Sequence, residues 1–288
     1  MEIIRYRLRN EQGKDGGSGN GAAHRSAGGN AGIAGGNTGF ADENAGIAYG
    51  LVGDGTVRQI TGSIFDAKPA TAGEEIPLDA VELLAPLEPG KIIALGYNYK
   101  DLVGERDAYD EPVIFFKPPS AVIGPGGEIV IREDNKVWTE VELAIVIRKE
   151  CRDVTVSQAP DCILGYTVAN DVTTSNCLGR DHHLARSKGW DTFCPLGPAI
   201  VSGVDTSALP MTNTINGTVM QQSATDKRIL GDAEVVSFLS RFFTLFPGDV
   251  ILTGTPANAE SSVIAGGEVV EVSIDGIGTL TNTVRTDY

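Results

Sequence analysis

The chain is poor in the residues that build several common kinds of functional site. Histidine occurs three times in 288 residues, aromatic residues make up 6% of the chain, and the four cysteines are too far apart for a Cys-x-x-Cys motif. The sequence therefore predicts neither a zinc knuckle nor a thiol redox loop, and we interpret the cysteines as free buried thiols. The scarcity of histidine also limits the choice of a general base.

Basic residues are in the minority as well. Lys and Arg number 23 against 38 Asp and Glu, which gives a net charge of −15. This balance disfavours nucleic-acid binding, which needs clustered positive charge. No run of about 18 apolar residues is present, which predicts no membrane-spanning helix. The first residues also lack the basic start and apolar stretch of a secretion signal. We therefore expect a cytoplasmic protein with neither nucleic-acid nor membrane partners.

Glycine content and apolar patterning predict three parts along the chain. Residues 1–65 are predicted to form a small N-terminal β domain, interrupted at 11–40 by a flexible insertion that holds 11 of the 36 glycines. That insertion has too little apolar surface to offset the entropy of ordering it. Residues 66–89 are rich in Pro, Ala and Glu and are predicted to be a linker with a short helix near 79–84. Residues 90–288 form the third and largest part.

From residue 90 onward, short β-type runs alternate with Gly and Pro, which predicts a β-rich α+β fold of mixed sheets arranged as a roll or sandwich. Residues 269–274 and 278–284 flank an Asp275-Gly276 turn and predict a β-hairpin. One helix is predicted between Asp232 and Pro247. It rests on apolar residues at helical spacing, namely Val235, Phe238, Leu239, Phe242 and Phe246.

Two carboxylates alternate with apolar residues in the segment Trp138-Thr-Glu-Val-Glu-Leu-Ala-Ile-Val-Ile147. Strand geometry puts Glu140 and Glu142 on one face. Two neighbouring carboxylates repel each other unless positive charge or water lies between them. The pair is therefore either a solvated strand face or part of a divalent-cation site.

A third carboxylate, Asp171, ends the apolar run Ile163-Leu-Gly-Tyr-Thr-Val-Ala-Asn-Asp171. An Asp at the end of a strand often caps a turn. If it meets Glu140 and Glu142, the three would instead supply oxygen ligands for a hard divalent ion and leave positions for water and substrate. Spacing along the sequence does not decide between these alternatives.

Six motifs in order give the chain a wider resemblance. They are Gly96-Tyr-Asn-Tyr-Lys100, Glu111-Pro-Val-Ile-Phe-Phe-Lys-Pro-Pro-Ser-Ala121, Glu140-Val-Glu-Leu143, Gly165-Tyr-Thr-Val-Ala-Asn-Asp-Val-Thr173, Lys188-Gly-Trp-Asp-Thr-Phe-Cys-Pro-Leu-Gly-Pro198 and Pro247-Gly-Asp-Val-Ile-Leu-Thr-Gly-Thr-Pro256. Together they resemble the fumarylacetoacetate hydrolase family, in the short form found in acylpyruvate hydrolases, hydroxyheptadienedioate isomerases and oxaloacetate decarboxylases. The resemblance covers residues 91–284, and the glycine-rich insertion is foreign to it.

The resemblance implies a catalytic domain at residues 90–288, usually in a homodimer. It implies that Glu140, Glu142 and Asp171 bind Mg²⁺ or Mn²⁺, and that a 2-oxo acid substrate chelates this ion. Lys188 matches the family lysine that neutralises the developing enolate, and Thr255 lies where the family contacts the substrate carboxylate. Asn98 and Tyr99 fall in the motif that leads into the substrate-covering lid and are expected to contact substrate.

A divalent ion chelated by the carboxylate and the adjacent ketone stabilises the enolate of a 2-oxo acid. Carbon–carbon bond hydrolysis, decarboxylation and keto–enol isomerisation all pass through such an enolate. The implied metal site therefore specifies an intermediate better than it specifies a product.

The chain departs from the family pattern where hydrolytic members activate water. Those members carry a His and a Glu three residues apart after Asn-Tyr, whereas this chain has Leu102 and Glu105. Ser175 and Leu178 also stand where many members place an Arg and a Gln. His182 and His183 lie between Asp171 and Lys188, and we interpret them as surface loop residues that do not replace the missing base.

Three interpretations follow. In the first, Glu105 acts as the base alone and hydrolysis of an acylpyruvate-type bond persists. In the second, the enzyme carries out decarboxylation or isomerisation, which need no activated water. In the third, the chain is a non-catalytic metal-binding paralogue.

Overall fold

The computed structural model describes residues 1–9, 46–104, 111–176 and 179–288. The predicted glycine-rich insertion, His24, Glu105, Cys177 and Leu178 lie outside the described residues. Within the described ranges the fold is dominated by strands, with three α-helices. The strands are β1 (Glu2–Leu8), β2 (Ile47–Gly53), β3 (Thr56–Ile60), β4 (Thr71–Pro77), β5 (Val81–Leu83), β6 (Ile92–Gly96), β7 (Val113–Lys117), β8 (Val122–Ile123), β9 (Glu128–Ile131), β10 (Val137–Trp138), β11 (Val141–Ile147), β12 (Ile163–Asn170), β13 (Thr173–Thr174), β14 (Cys194–Val201), β15 (Pro210–Ile215), β16 (Thr218–Ala224), β17 (Val250–Leu252), β18 (Val269–Ile274) and β19 (Gly278–Thr286). The α-helices are α1 (Lys100–Val103), α2 (Ala185–Lys188) and α3 (Asp232–Ser240).

The strands form a large sheet, a smaller sheet and a short ribbon. The large sheet has 12 strands, ten of them in the order β4-β3-β2-β1-β14-β12-β11-β17-β6-β7, with β5 beside β1 and β8 beside β14. The smaller sheet has five strands, β16-β15-β18-β19-β9, and β10 pairs with β13 alone. Both sheets are mixed, because β17 runs parallel to β6 and β19 runs parallel to β9 while most other pairs are antiparallel. The prediction of a β-rich fold of mixed sheets is confirmed.

The central strand β11 is buried on both faces along its whole length. Val141 and Leu143 pack against the five-stranded sheet, and further along the same face Ile145 and Ile147 pack against α3. The opposite face of the strand carries Glu142, followed by Ala144 and Val146 in a second apolar cluster. Glu142 is therefore an ionisable side chain in a strand whose other side chains are all apolar and buried.

Local sequence signals are confirmed to different extents. The predicted hairpin is present as β18 and β19. The predicted helix is present as α3, but it ends at Ser240, so Phe242 and Phe246 lie beyond it and are about half exposed. The described cysteines, Cys151, Cys162 and Cys194, are buried thiols, as expected. No helix in the described ranges is long and apolar enough to span a membrane.

The N-terminal strands belong to the large sheet. Strand β1 pairs with β14, with Glu2 opposite Val201, and β2 and β3 extend the sheet outward from there. The segment predicted as a linker, residues 66–89, contains β4 and β5, which pair with β3 and β1. The prediction of a short helix near residues 79–84 was wrong, because Val81–Leu83 pairs with β1 as a strand after one 3₁₀ turn.

Candidate metal centre and active site

The register of two central strands brings the three predicted carboxylates together. Glu140 directly precedes β11 and Asp171 directly follows β12, and Val141 pairs with Asn170. The Asp171 N–H donates to the Glu140 carbonyl at 3.0 Å, and the Glu140 N–H donates to the Asn170 side chain at 3.1 Å. One carboxylate oxygen from each of Glu140, Glu142 and Asp171 lies within 4.8 Å of the others. The geometry therefore removes the alternative of a solvated strand face.

Two buried lysines complete this cluster, which we call the acidic floor: Glu140, Glu142, Asp171, Lys117 and Lys188. The Lys188 ammonium lies 2.6 Å from Asp171 Oδ2 and 3.1 Å from Glu140 Oε2. Lys117 forms an ion pair with the other Asp171 oxygen and donates to the Val172 carbonyl at 3.1 Å. All five side chains are at least nine-tenths buried, so their charges interact far more strongly than they would in water.

Lys117 was not predicted as a site residue. Strand alternation contains the signal, because Val113, Phe115 and Lys117 share one face of β7 and both Val113 and Phe115 line the cavity described below. A lysine on the inward face of a strand needs a buried anion. Asp171 is that anion.

Glu142 is the carboxylate that lacks a direct lysine partner among the contacts of the floor. Its Oε2 accepts the Gly254 N–H at 2.6 Å. Gly254 has a φ of +99°, and a Cβ there would lie 3.1 Å from the Cβ of Asn98. Glycine is thus required for this approach. Burial, and then the charges of Asp171 and Glu140, raise the pKa of Glu142 well above its usual value.

Asp171 and Lys188, in contrast, are both favoured in their charged forms. Burial acts to raise the pKa of Asp171, but the charges and hydrogen bonds of Lys117 and Lys188 outweigh it and hold that pKa below its ordinary value. Burial acts to lower the pKa of Lys188, but Asp171 and Glu140 outweigh it and raise that pKa. In this arrangement of charges Lys188 is therefore favoured as an ammonium.

The acidic floor lies at the base of a cavity of about 500 Å³. Its apolar wall includes Leu102, Val113, Phe115 and Leu184. Its rim, by which we mean the exposed or half-exposed polar lining, is formed by Lys136, Ser175, Asn176 and Glu260. A larger cavity of about 1080 Å³ lies elsewhere, between residues 82–89 and 119–127, and contains none of the predicted site residues.

Thr255 lies in the cavity wall as predicted, and Gln221 holds it there. The buried Gln221 amide donates from Nε2 to Thr255 Oγ1 at 3.1 Å, and its Oε1 accepts the Val141 N–H at 3.2 Å. Gln221 therefore ties the loop after β17 to the first residue of β11. Nothing in the local sequence around Gln221 signals this role, because it depends on contacts between distant segments.

Neither Asn98 nor Tyr99 lines the cavity, and their contact with substrate stays a prediction. Both side chains are buried. Asn98 donates to the carbonyls of Thr253 and Leu230 and accepts the Leu230 N–H. The Tyr99 hydroxyl contacts the Met211 sulfur at 3.1 Å. Both residues therefore position the backbone around the site, and the neighbouring Tyr97 lines the cavity instead.

Two of the residues that depart from the family pattern, Leu102 and Ser175, line the cavity. Leu102, in α1, lines it and packs against the apolar core between the sheets. Ser175 is on the rim, while Glu105 and Leu178 fall outside the described residues. His182 and His183 are exposed, as expected, and in the described part of the chain no histidine lines the cavity.

The donor set fits a hard divalent cation. Three buried carboxylates offer oxygen ligands only, which suits Mg²⁺ or Mn²⁺ better than softer metals. Three negative and two positive side chains leave the floor with a formal charge of −1 when all are ionised, and keeping three carboxylates together in a dry site is costly without further positive charge.

The fold and the acidic floor together define a class of proteins. These proteins are β-rich, and their central strands present a carboxylate cluster at the base of a pocket. Residues 91–285 match the family described as Fumarylacetoacetate (FAA) hydrolase C-terminal, and residues 40–86 match the family described as Rv2993c-like, N-terminal. The chain belongs to the fumarylacetoacetate hydrolase family. Its members include hydrolases, isomerases and an oxaloacetate tautomerase, so this is a family of enzymes.

Individual relatives cover most of the chain. Protein Rv2993c of Mycobacterium tuberculosis is 42% identical over 235 residues, covering 80% of this chain and 88% of the relative. The mitochondrial oxaloacetate tautomerase FAHD2A of Bos taurus is 36% identical over 245 residues, covering 78% and 76%. The crystal structure of 5-carboxymethyl-2-hydroxymuconate delta-isomerase from Mycobacterium smegmatis is similar with a TM-score of 0.79 and 41% identity, covering 86% of this chain and 98% of that one.

Proposed function

We propose that the chain is a Mg²⁺- or Mn²⁺-dependent enzyme that interconverts the keto and enol forms of a small 2-oxo acid. One observation carries the proposal: the acidic floor opens into a cavity whose wall presents Leu102 where a hydrolytic site needs a histidine. The floor suits enolisation, and among the described lining residues there is no histidine that could activate water. Similarity to an isomerase structure and to an oxaloacetate tautomerase supports the same choice.

In this proposal Glu140, Glu142 and Asp171 hold the divalent ion. When bound, the ion polarises the ketone of a chelating 2-oxo acid and makes the protons on its third carbon more acidic. Lys117 holds Asp171 in place from below, while Lys188 supplies a fixed positive charge at the cavity floor. Negative charge that develops on the substrate oxygen is stabilised by such a preorganised ammonium.

The proton on the third carbon needs an acceptor. We propose Glu105 for this role, as the resemblance implies. Leu102 shields the reacting carbon from water, which favours return of the proton over attack by hydroxide. Thr255, held by Gln221, is proposed to contact the substrate carboxylate.

Hydrogen exchange at the third carbon tests this function directly. Oxaloacetate and pyruvate are incubated in D₂O with Mn²⁺ in the presence and absence of the protein, and with the protein and EDTA, and deuterium uptake is followed by mass spectrometry. Cleavage of acetylpyruvate and decarboxylation of oxaloacetate are measured in the same samples. We expect Mn²⁺-dependent exchange that exceeds cleavage and decarboxylation. Tight Mn²⁺ binding without turnover of any substrate would instead identify a non-catalytic metal-binding protein.

Hydrolysis of an acylpyruvate-type carbon–carbon bond is the second candidate, and the family match is the observation that favours it. It requires Glu105 to activate water without a histidine partner. Acetylpyruvate cleavage faster than exchange in the experiment above would select this function over tautomerisation.

We also propose that the protein forms a homodimer through the exposed side of β7, an edge strand of the large sheet. Phe116 on this strand and Phe242 both contact the ring of Phe243 and are each nearly half exposed. Adjacent exposed aromatic side chains are typical of association surfaces. Sedimentation velocity should give a dimer for the native chain and a monomer for Phe116→Lys. A native monomer at micromolar concentration would contradict this proposal.

A further inference from the structure

We propose that Trp138 is a positioning residue for the cation site. Its indole N–H holds one oxygen of Glu140, so that this carboxylate offers a single oxygen to a divalent ion and the site prefers Mg²⁺ to Ca²⁺. This inference rests on the cation site of the proposed function but not on the reaction proposed there. It assigns a role in ion selectivity to a residue outside the acidic floor.

The two oxygens of the Glu140 carboxylate have different partners. Oε1 accepts the Trp138 indole N–H at 2.8 Å and lies 2.9 Å from the Thr173 hydroxyl, whereas Oε2 accepts from the Lys188 ammonium at 3.1 Å. The Thr173 hydroxyl also lies 2.9 Å from the Asp171 carbonyl, and its single hydrogen can be donated to only one of the two acceptors at a time. Among the described residues the indole N–H has no second acceptor, so Trp138 is the more constant donor to Oε1.

The ribbon of β10 and β13 brings these two donors to the same carboxylate. Trp138 is opposite Thr173 in this antiparallel pair, and directly opposite side chains in such a pair lie on the same face. The Trp138 backbone also forms an isolated bridge with Val263. The indole ring is half-buried and lines the cavity, and the Lys136 ammonium lies 5.5 Å from its centroid. The backbone thus fixes the direction from which the indole approaches Glu140.

The other two carboxylates of the cluster are held in a similar way. The Gly254 N–H donates to Glu142 Oε2 at 2.6 Å, and Lys117 forms an ion pair with Asp171 Oδ1. In each of the three carboxylates, one oxygen is therefore held by a donor of its own. Glu260 also lines the cavity, but it is exposed and lies outside the group of described carboxylates whose oxygens are within 4.8 Å of one another.

Three oxygens, one from each carboxylate, suit a small ion. Mg²⁺ takes about six ligands in near-ideal octahedral geometry, so three single oxygens leave about three positions for water and substrate. Ca²⁺ takes about six to eight ligands and readily binds both oxygens of one carboxylate. Glu140 can offer both of its oxygens only if Oε1 gives up its hydrogen bond to the indole. The indole therefore disfavours Ca²⁺ more than Mg²⁺.

Loss of the indole N–H tests the inference through ion affinity and does not require turnover. Free Mn²⁺ is measured by electron paramagnetic resonance in the presence of the full chain, and Mg²⁺ or Ca²⁺ is added as a competitor, which gives the dissociation constant of each ion. Trp138→Phe keeps an aromatic ring beside Lys136 but removes the donor. We expect its affinity for Mg²⁺ to fall by about tenfold and its affinity for Ca²⁺ to fall by less than about threefold. A merely structural role would weaken the binding of both ions equally.

A second variant and a matched control separate the indole from its surroundings. Thr173→Val removes the other donor, and because that hydroxyl is shared with the Asp171 carbonyl, the loss of Mg²⁺ selectivity should be smaller than in Trp138→Phe. Trp190→Phe changes the second of the two tryptophans, which stacks on Phe193 and does not line the cavity. This control should keep the native selectivity.

An unchanged ratio of the two dissociation constants in Trp138→Phe, or a larger change of that ratio in Thr173→Val, would overturn the inference. Failure of the proposed reaction gives a different result, namely absent deuterium exchange in a chain whose Mg²⁺ selectivity still depends on the indole, and that result supports the inference. A native chain that binds neither Mg²⁺ nor Ca²⁺ would overturn both the inference and the proposed cation site.

Discussion

The floor and the rim of the cavity differ in burial and in what holds their side chains in place. The floor consists of buried charges held by strand register and by one another, whereas the rim consists of exposed polar side chains on short strands and loops. A change in the floor disturbs the core of the largest sheet, while a change in the rim disturbs little else. In the proposed function, the floor fixes which intermediate is stabilised, and the rim and wall set the substrate and the product.

Glu142→Gln should have the largest effect on activity. The amide keeps the shape of the side chain but removes a negative charge from the proposed cation site, so cation binding and the charge stabilisation that depends on it are both lost. We expect Mn²⁺-dependent exchange to fall by at least about 10³-fold. The matched control, Glu150→Gln, changes an exposed glutamate outside the cavity and should retain activity. Activity in Glu142→Gln within tenfold of native would refute a role for this carboxylate.

Lys117→Met should chiefly affect stability. It leaves Asp171 without one of its two buried ion pairs, and breaking such a pair typically costs about 3 kcal/mol or more. Urea denaturation measures the change in the free energy of unfolding. The surface pair between Arg58 and Glu75 provides the comparison, because both side chains are about half exposed and Arg58→Met should cost under about 1 kcal/mol. Similar losses for the two variants would contradict the distinction between floor and surface charges.

Leu102→His changes the wall without altering the floor. It restores a general base at the position where hydrolytic members of the family carry one, so acetylpyruvate cleavage should rise by about 10- to 100-fold. Exchange at the third carbon of oxaloacetate should not rise in parallel. Leu102→Gln is the control, since it adds polarity without a group that titrates near neutrality. If cleavage rises equally in both variants, or in neither, our interpretation of the wall is incorrect.

The smallest predicted effect is a pH dependence of cation binding. The pKa of Glu142 is raised, so without the cation its protonated form contributes stability at low pH that is lost as pH rises through that pKa. A cation must displace this proton, and its affinity therefore increases with pH. The Mg²⁺ concentration is fixed at about 10 times the dissociation constant measured at pH 8. At that one concentration, Mg²⁺ should raise the melting temperature more at pH 8 than at pH 5. Asp171 does not add to this trend near neutrality, because its pKa is lowered.

Local sequence patterns predicted the features that are set by residues close together in the sequence. Strand alternation placed Glu140 and Glu142 on one face, and the Asp275-Gly276 turn located the last hairpin. The helical spacing of five apolar residues was informative only as far as Ser240, because Phe242 and Phe246 use that spacing at the surface after the helix has ended.

Local patterns could not predict which side chains from distant segments of the chain contact one another. Lys117 and Asp171 are 54 residues apart, and Gln221 and Thr255 are 34 apart. Asn98 illustrates the reverse case. Its motif predicts a substrate contact, and it gives no sign that the side chain donates hydrogen bonds to the carbonyls of Thr253 and Leu230, which only the folded chain brings beside it.

The most direct test of the floor is an anomalous diffraction experiment on crystals grown with Mn²⁺ and oxalate. We predict one Mn²⁺ peak about 2.1 Å from carboxylate oxygens of Glu140, Glu142 and Asp171, with oxalate occupying the remaining ligand positions on the cavity side. A Mn²⁺ peak elsewhere, or three carboxylates still free of metal with Lys188 bridging Glu140 and Asp171, would contradict the account.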